Sequence, residues 1–134
     1  MTESAELERR LVEFFGAHAE DAAAVYLFGS AARGTSRPDS DVDVGILFKH
    51  APAATLEAQP YDLAADLETH LGQPVDVIVL NSAPVDLRIR VLRDGHLIVD
   101  RDRSRRIAFE VQTRNEFFDL EPVLREYRAP RGVR

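Results

Sequence analysis

The feature that most constrains this chain is the stretch LFGSAARGTSRPDSDVDVGILF, residues 27–48. An apolar run of strand character, residues 23–28, ends at Gly29-Ser30, and Asp41 and Asp43 then open a second apolar run. Side chains alternate along a strand, so Asp41 and Asp43 share one face. Val42, Val44, Ile46 and Phe48 take the other, toward a core. Two acids on one face of a strand end repel each other unless a cation lies between them. Hard carboxylate oxygens suit Mg²⁺ better than zinc. Gly29-Ser30, set between a strand and a helical turn, offers backbone N–H groups and a hydroxyl to phosphate oxygens. Alone, a Gly-Ser is a turn and an Asp-x-Asp a solvated strand end. Together they lay out a phosphate holder beside a metal holder, which suits metal-assisted phosphoryl or nucleotidyl transfer.

Periodicity places alternating elements around this stretch. Leu7, Leu11, Phe14 and Phe15 fall on one helical face and predict an amphipathic helix over 4–18. Residues 30–36 read as a turn or short helix, and Pro52 and Pro60 break the connection after the second strand. A helix over 61–72 turns Leu63, Leu67 and Leu71 inward and stops at Gly72. A strand over 74–80 follows. Asn81 or Ser82 then caps a helix with Pro84 in its first turn that runs to Gly95. A short strand over 96–100 precedes a helical pattern from Asp102 to about Arg128, with Pro122 breaking it or starting a second helix. The chain of 134 residues is long enough for one core but not two. We expect one domain over 1–128 and a flexible tail over 129–134.

A third acid is expected if two metals are held, and Asp76 is the candidate. Its run, PVDVIVL, is apolar on both faces, where an acid is costly unless it is paired or coordinates a metal. The competing reading puts Asp76 at an exposed strand end or against an arginine.

Charge narrows the class of partner. The net charge of −6 and the pI of about 5.2 give no basic footprint for general nucleic-acid binding. The balance is uneven: residues 1–100 hold 8 Lys+Arg and 17 Asp+Glu, whereas 101–134 hold 9 Arg and 6 acids. The Arg-rich end is either a solvated helix or a docking surface, with Arg101, Arg103, Arg105 and Arg106 foremost. The chain lacks cysteine, which excludes disulfides and thiolate metal sites and fits a reducing cytoplasm. No apolar signal core or membrane-length run is present.

The same residues carry a family resemblance. Gly-Ser, ten residues and Asp-x-Asp resemble the nucleotidyltransferase superfamily that includes DNA polymerase beta. The fuller text GSAARGTSRPDSDVDVGILF, with VDVIVL after it, is similar to the minimal nucleotidyltransferases, the MNT or MntA family. The resemblance implies an α+β fold, a small mixed β-sheet flanked by helices. It implies that Gly29 and Ser30 hold the triphosphate of ATP, and that Asp41 and Asp43 bridge two Mg²⁺. Asp76 would bind one metal and help deprotonate the attacking hydroxyl. Arg33 is either a further phosphate contact or a surface loop arginine. The family further implies an antitoxin that adenylylates a tyrosine of a HEPN-domain ribonuclease toxin, with no membrane or direct nucleic-acid partner.

Two other functions stay open: a small-molecule nucleotidyltransferase of the aminoglycoside-modifying type, and a non-catalytic antitoxin that blocks its toxin by binding. The four histidines are scattered without metal-ligand spacing and read as structural or solvated. Ser30 has no histidine near it in sequence, and GSAARG lacks the ending of a P-loop. Tyr26, Tyr61 and Tyr127 read as packing residues.

Overall fold

A computed structural model describes residues 3–34, 40–52 and 60–128. The expected tail, 129–134, and the loop segments 35–39 and 53–59 lie outside the described residues. In chain order the elements are α1 (Glu3–Phe15), β1 (Ala22–Phe28), α2 (Gly29–Arg33), β2 (Val42–Phe48) and α3 (Tyr61–Leu71). They continue with β3 (Val75–Val79), α4 (Val85–Asp94), β4 (His96–Asp100) and α5 (Arg103–Arg128). The four strands form one sheet in the order β3-β2-β1-β4. β1 runs antiparallel to both β2 and β4, while β2 and β3 are parallel. This is the expected α+β arrangement, a small mixed sheet with helices on its faces.

β1 is central and buried along its whole length, which its unbroken apolar sequence requires. The sheet divides the core into two clusters where the sequence suggested one. On one face Leu11, Phe14 and Phe15 of α1 and Leu67 and Leu71 of α3 cover Val25, Leu27, Val44 and Ile46. On the other, Val91 of α4, Phe109 of α5 and Leu80 cover Ala24, Tyr26, Phe28 and Leu47. Asp43 alternates with Val42 and Val44, so it belongs to this second face, on the side of α4.

Helix ends depart from the sequence reading for local reasons. α1 stops at Phe15, not residue 18. Gly16 and Ala17 close it with N–H bonds to the Val12 and Phe14 carbonyls, and the His18 ring stacks on Phe14. α3 ends as expected at Gly72, whose φ of 74° supplies the left-handed cap. α4 begins only at Val85 and takes no side-chain cap from Asn81 or Ser82. Asn81 is used elsewhere. Its Oδ1 accepts from the Phe48 N–H at 2.9 Å, and its Nδ2 donates to the Phe48 carbonyl at 3.0 Å. The amide thereby continues the ladder of β2 by one rung. Asn81→Ala would leave both Phe48 groups without these partners in a half-buried position. We expect a loss of about 1–2 kcal/mol, read by urea denaturation with an unchanged slope.

α5 is capped by Asp102, whose Oδ1 accepts from the Arg105 N–H at 3.1 Å. It runs through Pro122 without a break, contrary to expectation. The proline removes one donor, and Phe118, whose carbonyl it frees, is on an exposed turn where water can replace the bond.

Two arginines of the expected docking cluster are engaged within the fold. Arg106 is mostly buried, 3.0 Å from both Asp100 and Glu110, and Glu110 also accepts from the Tyr26 hydroxyl at 2.7 Å. Burial and that hydrogen bond raise the Tyr26 phenol well above its ordinary pKa, so it stays protonated as a donor. Arg101 donates to the carbonyls of Ala19 and His18, closing the loop after α1. Tyr26 is a packing residue as expected, but Tyr61 and Tyr127 are 63% and 86% exposed and are not. No helix of the described residues is long and apolar enough to cross a membrane.

Candidate active site

The sheet register assembles the candidate residues. Phe28, the last residue of β1, is opposite Asp43 of β2, and Asp43 is opposite Asp76 of β3. The three side chains therefore form a row across three strands on the α4 side. Gly29 follows Phe28 directly and starts α2 with φ +74°. A side chain there would force Asp43 or the turn to shift, because a Cβ on Gly29 would lie 2.2 Å from Asp43 Oδ2. The turn thus needs glycine twice, for its backbone conformation and for the close approach of the carboxylate.

This row faces a cleft of about 440 Å³ between the strand ends, α2 and α4. Gly29, Ser30, Arg33, Asp43 and Asp76 all line it, five of the six residues singled out from sequence. Arg33, for which a plain surface role was the alternative, is on the cleft wall. Asp41 is exposed, one residue before β2, and does not line the cleft; its charge adds to that around Asp43. Burial, then the Asp76 carboxylate, then Asp41, hold Asp43 above the usual carboxylate range, and Arg33 partly offsets them. Such crowding of negative charge is unfavourable in itself and would be relieved by a cation.

Asp76 corrects one expectation. It is exposed, the second residue of an edge strand, so the cost of burying an acid does not explain it. Among the described residues no arginine forms an ion pair with it. What marks Asp76 is its register beside Asp43.

The donor chemistry fits Mg²⁺, which takes hard oxygens and retains water and substrate phosphates among its ligands. Among the described residues, however, no three such side chains stand close enough together to hold one ion by themselves. A Mg²⁺ ion held here would need substrate oxygens to complete its ligands.

Sequence reading missed the α4 wall. Leu87, Arg90 and Asp94 line the cleft at spacings of three and four, one face of the helix. That spacing was visible in VDLRIRVLRD, but nothing local tied this helix to the motif. None of the four histidines lines the cleft.

Comparison with known proteins gives the family. Residues 10–104 match the family described as Polymerase beta, Nucleotidyltransferase. The chain belongs to this family. The protein adenylyltransferase MntA of Shewanella oneidensis is 36% identical to this chain over 72 residues. That match covers 53% of this chain and 49% of the relative, so it spans about half the length of the curated protein. A crystal structure of a toxin-antitoxin with AMP-PNP superposes with a TM-score of 0.71 at 23% identity, covering 91% of this chain and 98% of that one. A structure of a tri-AMPylated Shewanella oneidensis HEPN toxin in complex with MNT antitoxin gives a TM-score of 0.67 at 20% identity, covering 94% and 99%. At these identities the two structures share the fold of this nucleotidyltransferase.

Proposed function

We propose that this nucleotidyltransferase transfers AMP from ATP, with Mg²⁺, to a tyrosine hydroxyl of a HEPN ribonuclease toxin and thereby acts as its antitoxin in the cytoplasm. The observation that carries the reading is the row of Asp43 and Asp76 beside the Gly29 turn, all facing one cleft. The family membership and the adenylyltransferase relative support it.

In this reading Gly29, Ser30 and Arg33 hold the triphosphate. Asp41, Asp43 and Asp76 hold two Mg²⁺, whose charge stabilises the oxygens of the transferring phosphate when bound. Asp76, the most open of the row, takes part in removing the proton of the attacking hydroxyl. A bond forms from that oxygen to the α-phosphorus, the bond from the α-phosphorus to the bridging oxygen breaks, and pyrophosphate leaves. The chain's own work is to orient ATP against the acceptor and to aim charge where it develops.

The direct test incubates the chain and its HEPN partner with ATP and Mg²⁺ and weighs the partner intact. A gain of one or more AMP masses on a tyrosine is expected. An unmodified but inhibited partner would favour the binding-only antitoxin, and modification of an aminoglycoside but not of protein would favour the small-molecule enzyme.

Asp76 has its own expected result. Asp76→Asn should slow single-turnover transfer by about 10²-fold while changing ATP affinity far less, since its contribution is greatest in the transition state. The melting temperature should hardly move, because the side chain is exposed and unpaired among the described residues. A normal rate with a lowered melting temperature would return Asp76 to a structural role.

A further inference from the structure

α4 has a second face. Leu87, Arg90 and Asp94 turn to the cleft, whereas Ile89, Leu92 and Arg93 turn to a separate groove against α5. That groove, about 350 Å³, is completed by Arg114, Phe117 and Phe118. Its floor is apolar and an arginine stands at each helix. Phe118 is 71% exposed, which for a phenylalanine leaves a large apolar face in water. Phe118 also ends a line along α5. Ile107 and Val111, 41% and 49% exposed, precede Arg114 and Phe118 at spacings of four, three and four. This is the seam by which one helix packs along another, and no described element covers it.

We propose that this groove docks an amphipathic helix of another protein, one whose apolar seam is edged by acids that meet Arg93 and Arg114. Charge decides the occupant. Arg114 has no ion-pair partner among the described residues, and Arg93 has only an exposed neighbour, Asp94, at 3.3 Å. A second copy of this chain placed about a twofold through the groove would instead set arginine against arginine. The groove and the cleft are separated by the width of one helix, about 10 Å. A partner seated here would stand beside the cleft, with a neighbouring segment able to reach it. This last link rests on the nucleotidyltransferase reading; the docking itself rests on the groove. It also relocates docking from the Arg101–Arg106 cluster, half of which is engaged in the fold, to the middle of α5.

The test uses the full chain and a fluorescein-labelled helical peptide of roughly three heptads, with leucine along the seam and glutamate on both flanks. The control carries lysine on the flanks. Fluorescence anisotropy should show the glutamate peptide binding about tenfold or more tighter than the lysine peptide, with the preference falling as salt rises. Phe118→Glu should abolish binding of both. Arg93→Glu with Arg114→Glu should reverse the preference. Binding of neither peptide, binding without preference, or binding that survives Phe118→Glu overturns the proposal. So does a wild-type dimer in sedimentation that Phe118→Glu dissolves, since a second copy would then be the occupant. These positions are exposed, so the variants should melt like wild type and bind Mg²⁺ and ATP equally well. Failure of every preparation to bind ATP would count against the nucleotidyl reading and leave the groove result standing.

Discussion

Replacing Asp43 by asparagine should lower nucleotidyl transfer by on the order of 10³-fold or more while the fold persists. Asp43 stands in the middle of the acids: opposite Asp76, two residues from Asp41, and against Gly29. Removing its charge takes away the carboxylate around which a cation would be held. It also removes an unfavourable interaction from the metal-free protein. The folded-state pKa of Asp43 is raised, so the folded chain retains this proton where the unfolded chain has lost it. Below the ordinary aspartate range there is no penalty. As pH rises through that range and past the raised value, ionisation destabilises the metal-free fold by a constant amount. Thermal melts in EDTA from acid to neutral pH should therefore show Asp43→Asn at least as stable as wild type at neutrality, with a smaller decline on the way. Mg²⁺ added together with ATP, whose phosphate oxygens would complete the ligand set, should raise the wild-type melting temperature more than that of Asp43→Asn. A variant that transfers AMP normally, or one that is unfolded, would contradict this account of the residue.

Gly29→Ala should damage both stability and activity. The alanine must adopt φ near +74° and find room for a methyl group 2.2 Å from a carboxylate oxygen. The backbone conformation alone costs on the order of 1 kcal/mol, and relief of the clash requires Asp43 or the α2 turn to move. We expect a total loss of about 1–3 kcal/mol in chemical denaturation and transfer reduced as far as in Asp43→Asn. Gly34→Ala is the control. Its φ is also positive, at +72°, but no atom lies within 4 Å of the added Cβ. It should show the backbone cost without the loss of transfer. Equal activity losses in the two variants would mean that the turn, not the approach to Asp43, is what matters.

Much of the site was legible because its signals are local. Gly29-Ser30 and Asp41-x-Asp43 lie within a single hairpin, and strand alternation alone puts the acids on the face away from Val42 and Val44. The strands at 22–28, 42–48, 75–79 and 96–100 stood out for the same reason, as short apolar runs between turn residues. What escaped was set by tertiary packing. Asp76 was singled out for the cost of burial, yet it is exposed; its significance comes from strand register, which no local pattern specifies. Asn81 has the chemistry of a helix cap but bonds the end of β2, a partner 33 residues away. Pro122 breaks helices by local rule, yet α5 passes through it on an exposed turn. Arg101 and Arg106 read as surface charge in the sequence because their distant partners, the Ala19 carbonyl after α1 and the Asp100 carboxylate of β4, are brought to them only by the fold. The α4 wall of the cleft was equally invisible, since only the fold brings Arg90 opposite the strand ends.

The proposed reaction moves the α-phosphate of ATP, with its nucleoside, from the cleft at Gly29, Asp43 and Asp76 onto a protein hydroxyl. It is tested most directly by supplying the chain and its HEPN partner with ATP labelled at either the α- or the γ-phosphate, with Mg²⁺. The α-label should become covalently attached to the partner and the γ-label should be released only as pyrophosphate, with neither result in Asp43→Asn. Transfer of γ-label to the partner, or attachment of α-label that persists in Asp43→Asn, would contradict it.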